Sequence, residues 1–85
     1  MNSIDICVIG RKTPDFVEQL AIIRRIDGLK VLKRRNKPFY DITGIVKDDT
    51  DFVLMGRTLS NLITNCGAEL EISDKQLQDR IIRML

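Results

Sequence analysis

Histidine is absent from this sequence of 85 residues. The imidazole side chain is the commonest general base near neutral pH, activates serine and cysteine nucleophiles, and supplies most zinc sites. The chemistry that remains belongs to carboxylates, lysines and thiols, and these groups form no obvious cluster along the chain. We therefore predict a non-catalytic protein with no catalytic residues, no metal site and no cofactor.

Long apolar runs and closely spaced cysteines are also missing. No run approaches the ~20 apolar residues that a membrane-spanning helix needs. The start of the chain, "MNSIDICVIG", lacks the basic leader and cleavage site of a secretory signal. The two cysteines, Cys7 and Cys66, are far from C-x-x-C spacing, which is typical of reduced thiols. We expect a cytoplasmic protein with no membrane contact.

The overall composition is that of an ordinary globular protein. Apolar residues make up 44% of the chain and charged residues 31%. The formal net charge of +2 is too small to imply a polyanionic partner by itself. A chain of this length is expected to form one domain, spanning residues 1–85.

The first half of the chain predicts a strand, a helix and then extended segments. Apolar and polar residues alternate over residues 4–8, as in a half-buried strand. Thr13 followed by Pro14 is typical of a helix start, and Gly28 is placed to end that helix. Two extended segments follow between residues 29 and 47.

The second half predicts a strand, a short helix, another strand and a final helix. "DDTD" is typical of a polar turn, and residues 51–56 of a short buried strand. A helix is expected to begin near Thr58 and to end at Gly67. Residues 68–72 alternate like a strand, and Ser73 opens a capping box before the last helix. Within the short helix, the predicted buried residues are Leu59, Leu62 and Ile63, and the predicted exposed residues are Arg57, Ser60, Asn61 and Thr64.

The order of these elements predicts the fold class. It reads β-α-β-β-α-β-α, with the possible extra strand at residues 51–56. Every helix needs a sheet to cover its apolar stripe, and no second set of helices is present for the other face of that sheet. We therefore predict an α+β fold, a two-layer α/β sandwich with an antiparallel sheet and helices on one face.

A local motif resembles the HPr-like family, the small phosphocarriers of the bacterial sugar phosphotransferase system. The family has a small residue, a lysine and a serine before an apolar pair and a short helix. Here the run is Gly56, Arg57, Thr58 and Leu59, with Leu62-Ile63 after it, and a glycine-containing turn, a strand and a final helix follow. The resemblance covers most of the chain in element order. It implies an HPr-like sandwich whose short helix contacts partner proteins, with Thr58 at a position phosphorylated for regulation in some bacteria.

The family's phosphorylated histidine has no counterpart in this chain. The corresponding stretch is "GRKTP", residues 10–14, and neither Arg11 nor Thr13 can carry a labile phosphoimidazole. The segment from residue 36 to residue 51 is also longer than in the family. The resemblance therefore implies a protein-binding or regulatory module that is related to the phosphotransferase system but cannot act as a phosphohistidine carrier. The expected contacts with the protein partner are Arg11, Lys12, Thr13, Arg57, Thr58 and Asn61.

A basic stretch at Lys30–Lys37, "KVLKRRNK", predicts an alternative function. It precedes Phe39 and Tyr40, so it could form a basic hairpin that stacks on single-stranded nucleic acid. The phosphate contacts in this small nucleic-acid-binding module would be Lys33, Arg34, Arg35 and Lys37. A third interpretation is a solvated edge strand, whose basic side chains prevent edge-to-edge aggregation. Ferredoxin-like and ACT-type regulatory domains share most of this element order, so the fold does not choose between these functions.

Overall fold

A computed structural model describes residues 2–84, which form four strands and three helices. In chain order these are β1 (Asn2–Ile9), α1 (Pro14–Arg24), β2 (Leu29–Lys33), β3 (Phe39–Val46), α2 (Asp49–Cys66), β4 (Glu69–Ile72) and α3 (Lys75–Met84). The strands form one antiparallel sheet in the order β2-β3-β1-β4. The predicted α+β sandwich with β-α-β-β-α-β-α order and an antiparallel sheet is confirmed.

The strand order interleaves two β-α-β units. β3 lies between β1 and β2, and β1 lies between β3 and β4. Each unit is therefore split by a strand of the other, which is the ferredoxin-like arrangement. Because this arrangement serves many unrelated functions, the function must be argued from the surface of the protein.

The core lies between the sheet and the helices. Successive side chains of a strand point to opposite faces, so every second residue of β1 and β3 is directed at the helices. The fully buried side chains come from both layers: Ile6, Val8, Ile42 and Val46 from the sheet, and Phe16, Ile23, Met55, Leu59, Leu62 and Ile81 from the helices. None of the three helices within residues 2–84 lies on the opposite face of the sheet, as predicted.

The start of α1 follows the sequence prediction, whereas its end differs. The Thr13 hydroxyl accepts a hydrogen bond from the Phe16 amide at 3.2 Å, and Pro14 occupies the first helical position. The helix ends at Arg24, before Gly28 is reached. Gly28, at φ 89°, instead lies against β3, where a Cβ atom would be 2.0 Å from the Ile45 carbonyl oxygen. Glycine is required there by the close approach of two strands.

The predicted strand at residues 51–56 is wrong, because residues 49–66 form one continuous helix, α2. The predicted polar turn is its start. Asp48 accepts a hydrogen bond from the Thr50 amide at 2.7 Å, and two aspartates in the first turn suit the helix dipole. Thr58 therefore lies in the middle of α2. The end of α2 is confirmed, since Gly67 follows it in the left-handed conformation at φ 64°.

The last helix begins one residue later than its predicted cap implies. Asp74, not Ser73, accepts hydrogen bonds from the amides of Gln76 and Leu77, at 2.9 and 3.2 Å. Arg80 of α3 hydrogen-bonds to the Asn2 side chain, and its guanidinium carbon lies 4.4 Å from the centre of the Phe52 ring. These contacts connect α3 with β1 and α2. No helix within residues 2–84 combines the length and the apolar character needed to cross a membrane.

Candidate functional site

Two loops that are distant in sequence meet at one end of the sheet. The Gly10 amide donates a hydrogen bond to the Pro38 carbonyl at 3.0 Å, which extends the pairing of β1 with β3. The turn between β2 and β3 is closed by the Arg34 amide, which donates to the Phe39 carbonyl at 2.8 Å. Asn36 in this turn adopts a left-handed conformation at φ 57°. The loop after β1 therefore lies beside the β2–β3 turn.

This convergence produces a strongly basic surface, which we call the basic end. It comprises Arg11, Lys12, Lys33, Arg34, Arg35 and Lys37, all of them exposed. These are six of the fourteen Lys and Arg residues, so the rest of the chain holds more acidic than basic side chains. The small net charge thus conceals a marked separation of charge, and charge distribution governs the attraction of charged partners.

One residue of the basic end is fixed in position by a carboxylate. Arg34 donates to both carboxylate oxygens of Asp41, from Nε and from Nη2, each at 2.9 Å. Its guanidinium carbon lies 5.3 Å from the centre of the Phe39 ring, and the Lys37 ammonium lies 5.9 Å from that centre. Such a bidentate pair sets the orientation of the guanidinium plane as well as its position.

The same contact alters the protonation of its neighbours. The hydrogen bond from Arg34 holds the pKa of Asp41 below its usual range, against the opposing effect of partial burial. Cys7 pairs across the sheet with Asp41 on one side and with Glu71 on the other. Burial raises the pKa of the Cys7 thiol, the two carboxylates add to this effect, and Arg34 opposes it. A nucleophilic cysteine needs the reverse shift.

The exposed face of the sheet adjoins the basic end. Phe39 and Asp41 lie on it, as does Leu32, which is 63% exposed. Glu69 and Glu71 of β4 occupy the opposite edge of this face. The face therefore changes from basic side chains at β2 to acidic side chains at β4.

The six predicted protein contacts are divided between the loop before α1 and the helix α2. Arg11, Lys12 and Thr13 are exposed at the basic end, although the Thr13 hydroxyl is engaged as the α1 cap. Arg57 and Asn61 are exposed on α2, where the Asn61 amide donates to the Gln19 side chain of α1 at 3.4 Å. Gln19 lies six residues after Thr13, about 9 Å further along α1.

The prediction that Thr58 contacts a partner, or is accessible to phosphorylation, is wrong. The exposed fraction of Thr58 is 2%, and its hydroxyl donates to the Leu54 carbonyl one turn earlier, at 2.8 Å. The sequence prediction failed here because it placed the start of the helix at this residue. A longer helix turns Thr58 toward the core, next to Leu59.

The prediction that Tyr40 helps to stack on nucleic acid is wrong. Tyr40 is buried and packs edge-to-face on Phe16, with the ring centres 5.1 Å apart. Phe39 points to the exposed face because adjacent residues of a strand point to opposite sides. The roles of Asp41 and Pro38 were missed altogether. Strand alternation places Asp41 on the same face as Phe39, but its pairing with Arg34 depends on the register of β2 with β3.

The described part of the chain contains no group of three His, Cys, Asp or Glu residues that could hold a metal ion. Residues 36–51 contribute the end of the β2–β3 turn, β3 and the start of α2. No family model, curated protein or solved structure shows a significant match to this chain.

Proposed function

We propose that this protein is a non-catalytic module that binds nucleic acid through its basic end. The observation that supports this most directly is the hydrogen bond between Gly10 and Pro38, which joins two separate basic segments into one surface. Lys and Arg side chains that neutralise phosphates release condensed counterions, and this release supplies most of the affinity of such proteins for nucleic acid.

Most cations of the basic end are available to phosphates. Among residues 2–84 the recorded ion pair is that of Arg34 with Asp41. The other five cations have no carboxylate at ion-pair distance within the described residues 2–84: Arg11, Lys12, Lys33, Arg35 and Lys37. The acidic side chains of Glu69 and Glu71 lie on β4, two strands away from β3, and within residues 2–84 neither forms an ion pair with a cation of the β2–β3 turn.

Protection of an edge strand explains only part of this charge. Lysines on β2 discourage pairing with other chains, and Lys30 and Lys33 suit that role. Arg11 and Lys12 belong to a loop that forms no edge. Their position beside the β2–β3 turn therefore favours a ligand that contacts both segments.

The salt dependence of binding tests this proposal. Anisotropy of a labelled oligothymidylate of roughly 12 nucleotides should show binding that weakens steeply between about 50 and 200 mM salt. Replacing Arg35 and Lys37 by alanine should lower the slope of the log–log plot by about 1.4, since each single-strand phosphate contact contributes about 0.7. The matched control is alanine at Arg24 and Arg25, which lie at the other end of α1, about 15 Å from its start. Binding that ignores salt, or equal losses in the two variants, would refute the proposal.

A second candidate is an HPr-like protein-binding or regulatory module in the bacterial phosphotransferase system, without carrier activity. It is supported by the exposed Arg57 and Asn61 on α2, beside Leu54, which is 41% exposed. Arg57→Glu should then weaken a protein complex and leave the melting temperature unchanged. An acid-labile phosphoryl group, gained after incubation with phosphoenolpyruvate and the first enzyme of that system, would disprove the lack of carrier activity. Both candidates include a cytoplasmic location, to which the two free cysteines are suited.

A further inference from the structure

We infer that Arg34, Phe39 and Asp41 form a preformed platform for one unpaired base, so that the nucleic acid bound at the basic end is single-stranded. This inference rests on the proposed function and specifies its ligand. A double helix holds its base faces inside the stack, whereas a single strand can offer them to a planar side chain.

The guanidinium of Arg34 is already ordered in the free protein. Two of its N–H groups are held by Asp41, one on Nε and one on Nη2, and the backbone amide of Arg34 is bonded to Phe39. The Arg34 side chain nevertheless remains 46% exposed. A ligand that uses this group does not have to order it first, and this lowers the entropic cost of binding.

Phe39 supplies the second layer of the platform. Its ring lies beneath the Arg34 guanidinium on the uncovered face of the sheet, and it is half-buried against its neighbours. Guanidinium planes and aromatic rings are the two groups on which proteins stack unpaired bases. The guanidinium, which the ring supports from beneath, leaves its outer surface to a base and selects no particular one.

The charges around the platform indicate where the phosphates and the base of the bound nucleic acid should lie. Arg35 and Lys37 lie next to Arg34 in the β2–β3 turn and attract phosphates to the end of the sheet. Cys7 and then Glu71 follow Asp41 across the sheet, so the face becomes acidic away from β2. Phosphates are therefore favoured at the basic end, and only a base extends onto the uncovered face.

The test compares oligothymidylate with an oligonucleotide of equal length in which the internal positions are abasic. Both carry the same phosphates, so only base contacts distinguish them. Wild-type protein should bind oligothymidylate about 5-fold to 150-fold more tightly, the range expected for one stacked base. Arg34→Lys keeps the charge but loses the planar fork, and Phe39→Leu loses the ring. Each should abolish most of this preference while the salt slope stays unchanged. Arg35→Lys is the matched control and should retain the preference.

The possible failures of the two proposals are distinguishable. A preference for bases that persists in both Arg34→Lys and Phe39→Leu, with both variants folded by circular dichroism, overturns the platform and leaves nucleic-acid binding intact. Equal affinity for the two oligonucleotides, or tighter binding of a thymidine–adenine duplex, also overturns it. If neither oligothymidylate nor the abasic oligonucleotide shows salt-dependent binding, the proposed function is overturned as well. Binding of a polyglutamate peptide as tight as that of oligothymidylate would assign the basic end to an acidic protein.

Discussion

Asp41 holds the guanidinium of Arg34 in position, and its own ionisation depends on that contact. The carboxylate form accepts two hydrogen bonds from Arg34, whereas a protonated carboxyl would lose one acceptor and the charge attraction. The folded state therefore favours the ionised form. The resulting contribution to stability is present above the unfolded pKa of Asp41, and it is lost as the pH falls through the lower, folded pKa.

The carboxyl carbon of Asp41 should report this contact in a titration followed by NMR. We expect its midpoint to lie below that of an aspartate in an unfolded peptide. In Arg34→Ala the midpoint should rise toward the ordinary range, because the hydrogen bond from Arg34, the main cause of the lowered pKa, is removed. A midpoint that does not move in this variant would show that Arg34 and Asp41 are not paired in solution.

Leu62 and Asn61 are neighbours in α2 with opposite environments. Leu62 is fully buried, so Leu62→Ala should lower the free energy of unfolding by about 2–5 kcal/mol. Asn61 is exposed and has one long hydrogen bond, so Asn61→Ala should change it by no more than about 0.5 kcal/mol. Urea denaturation measures both. Similar losses in the two variants would contradict the orientation of α2.

Gly28 and Gly67 offer a matched comparison of backbone constraint. Both have positive φ, at 89° and 64°, but a Cβ atom at Gly28 would lie 2.0 Å from the Ile45 carbonyl oxygen, whereas one at Gly67 would have no neighbour within 4 Å. Gly67→Ala should therefore cost only the conformational strain, about 1–2 kcal/mol. Gly28→Ala should cost clearly more, since the backbone of β3 must move. Equal unfolding midpoints would contradict the close approach of β2 and β3.

At the scale of elements, α2 is the clearest departure from the sequence prediction. Its first half contains "DFVLMG", a short apolar run whose pattern fits a buried strand as well as a helix. Gly56 inside it also resembles a break, but it allows Met84 of α3 to approach, since a Cβ there would be 1.9 Å from the Met84 methyl group. That contact comes from a distant part of the chain, so no local pattern could have indicated it.

Removal of the α2 cap should confirm the continuous helix. Asp48→Ala should cost about 1 kcal/mol in unfolding free energy, because the Thr50 amide loses its acceptor. Ser73→Ala is the control: Ser73 was the predicted cap of α3, but Asp74 fills that role, so little change is expected. A larger effect at Ser73 than at Asp48 would restore the sequence-based boundaries of both helices.

Where a local signal was unambiguous, the elements could be predicted. The alternation over residues 4–8 indicated β1, and Thr13 with Pro14 indicated the start of α1. The candidate site was predictable only in pieces. Both basic segments were identified, but they were assigned to different functions, because their contact depends on the pairing of β1 with β3. Register between distant strands is a tertiary property, and the sequence alone does not specify which loops it brings together.

At the scale of the whole molecule, the separation of charge should be measurable without any ligand. The variant with alanine at Arg35 and Lys37 and the variant with alanine at Arg24 and Arg25 have the same net charge. The first should elute earlier from a cation exchanger, because the resin interacts with the surface of highest positive charge density. Equal retention would mean that the basic end is no more basic than the rest of the surface.

The β2–β3 turn also has a consequence for how this protein can evolve. Leu32 faces Asp41 across the hairpin, and Val31 faces Ile42 in the core. If the loss of one turn residue slipped this pairing by one position, the faces of β2 would exchange, and Lys30 would enter the core in place of Val31. The five turn residues 34–38 are nevertheless at the surface, where most substitutions cost little. Natural variation can therefore change the charge of this turn freely, while its length is restricted by the packing of the core beneath it.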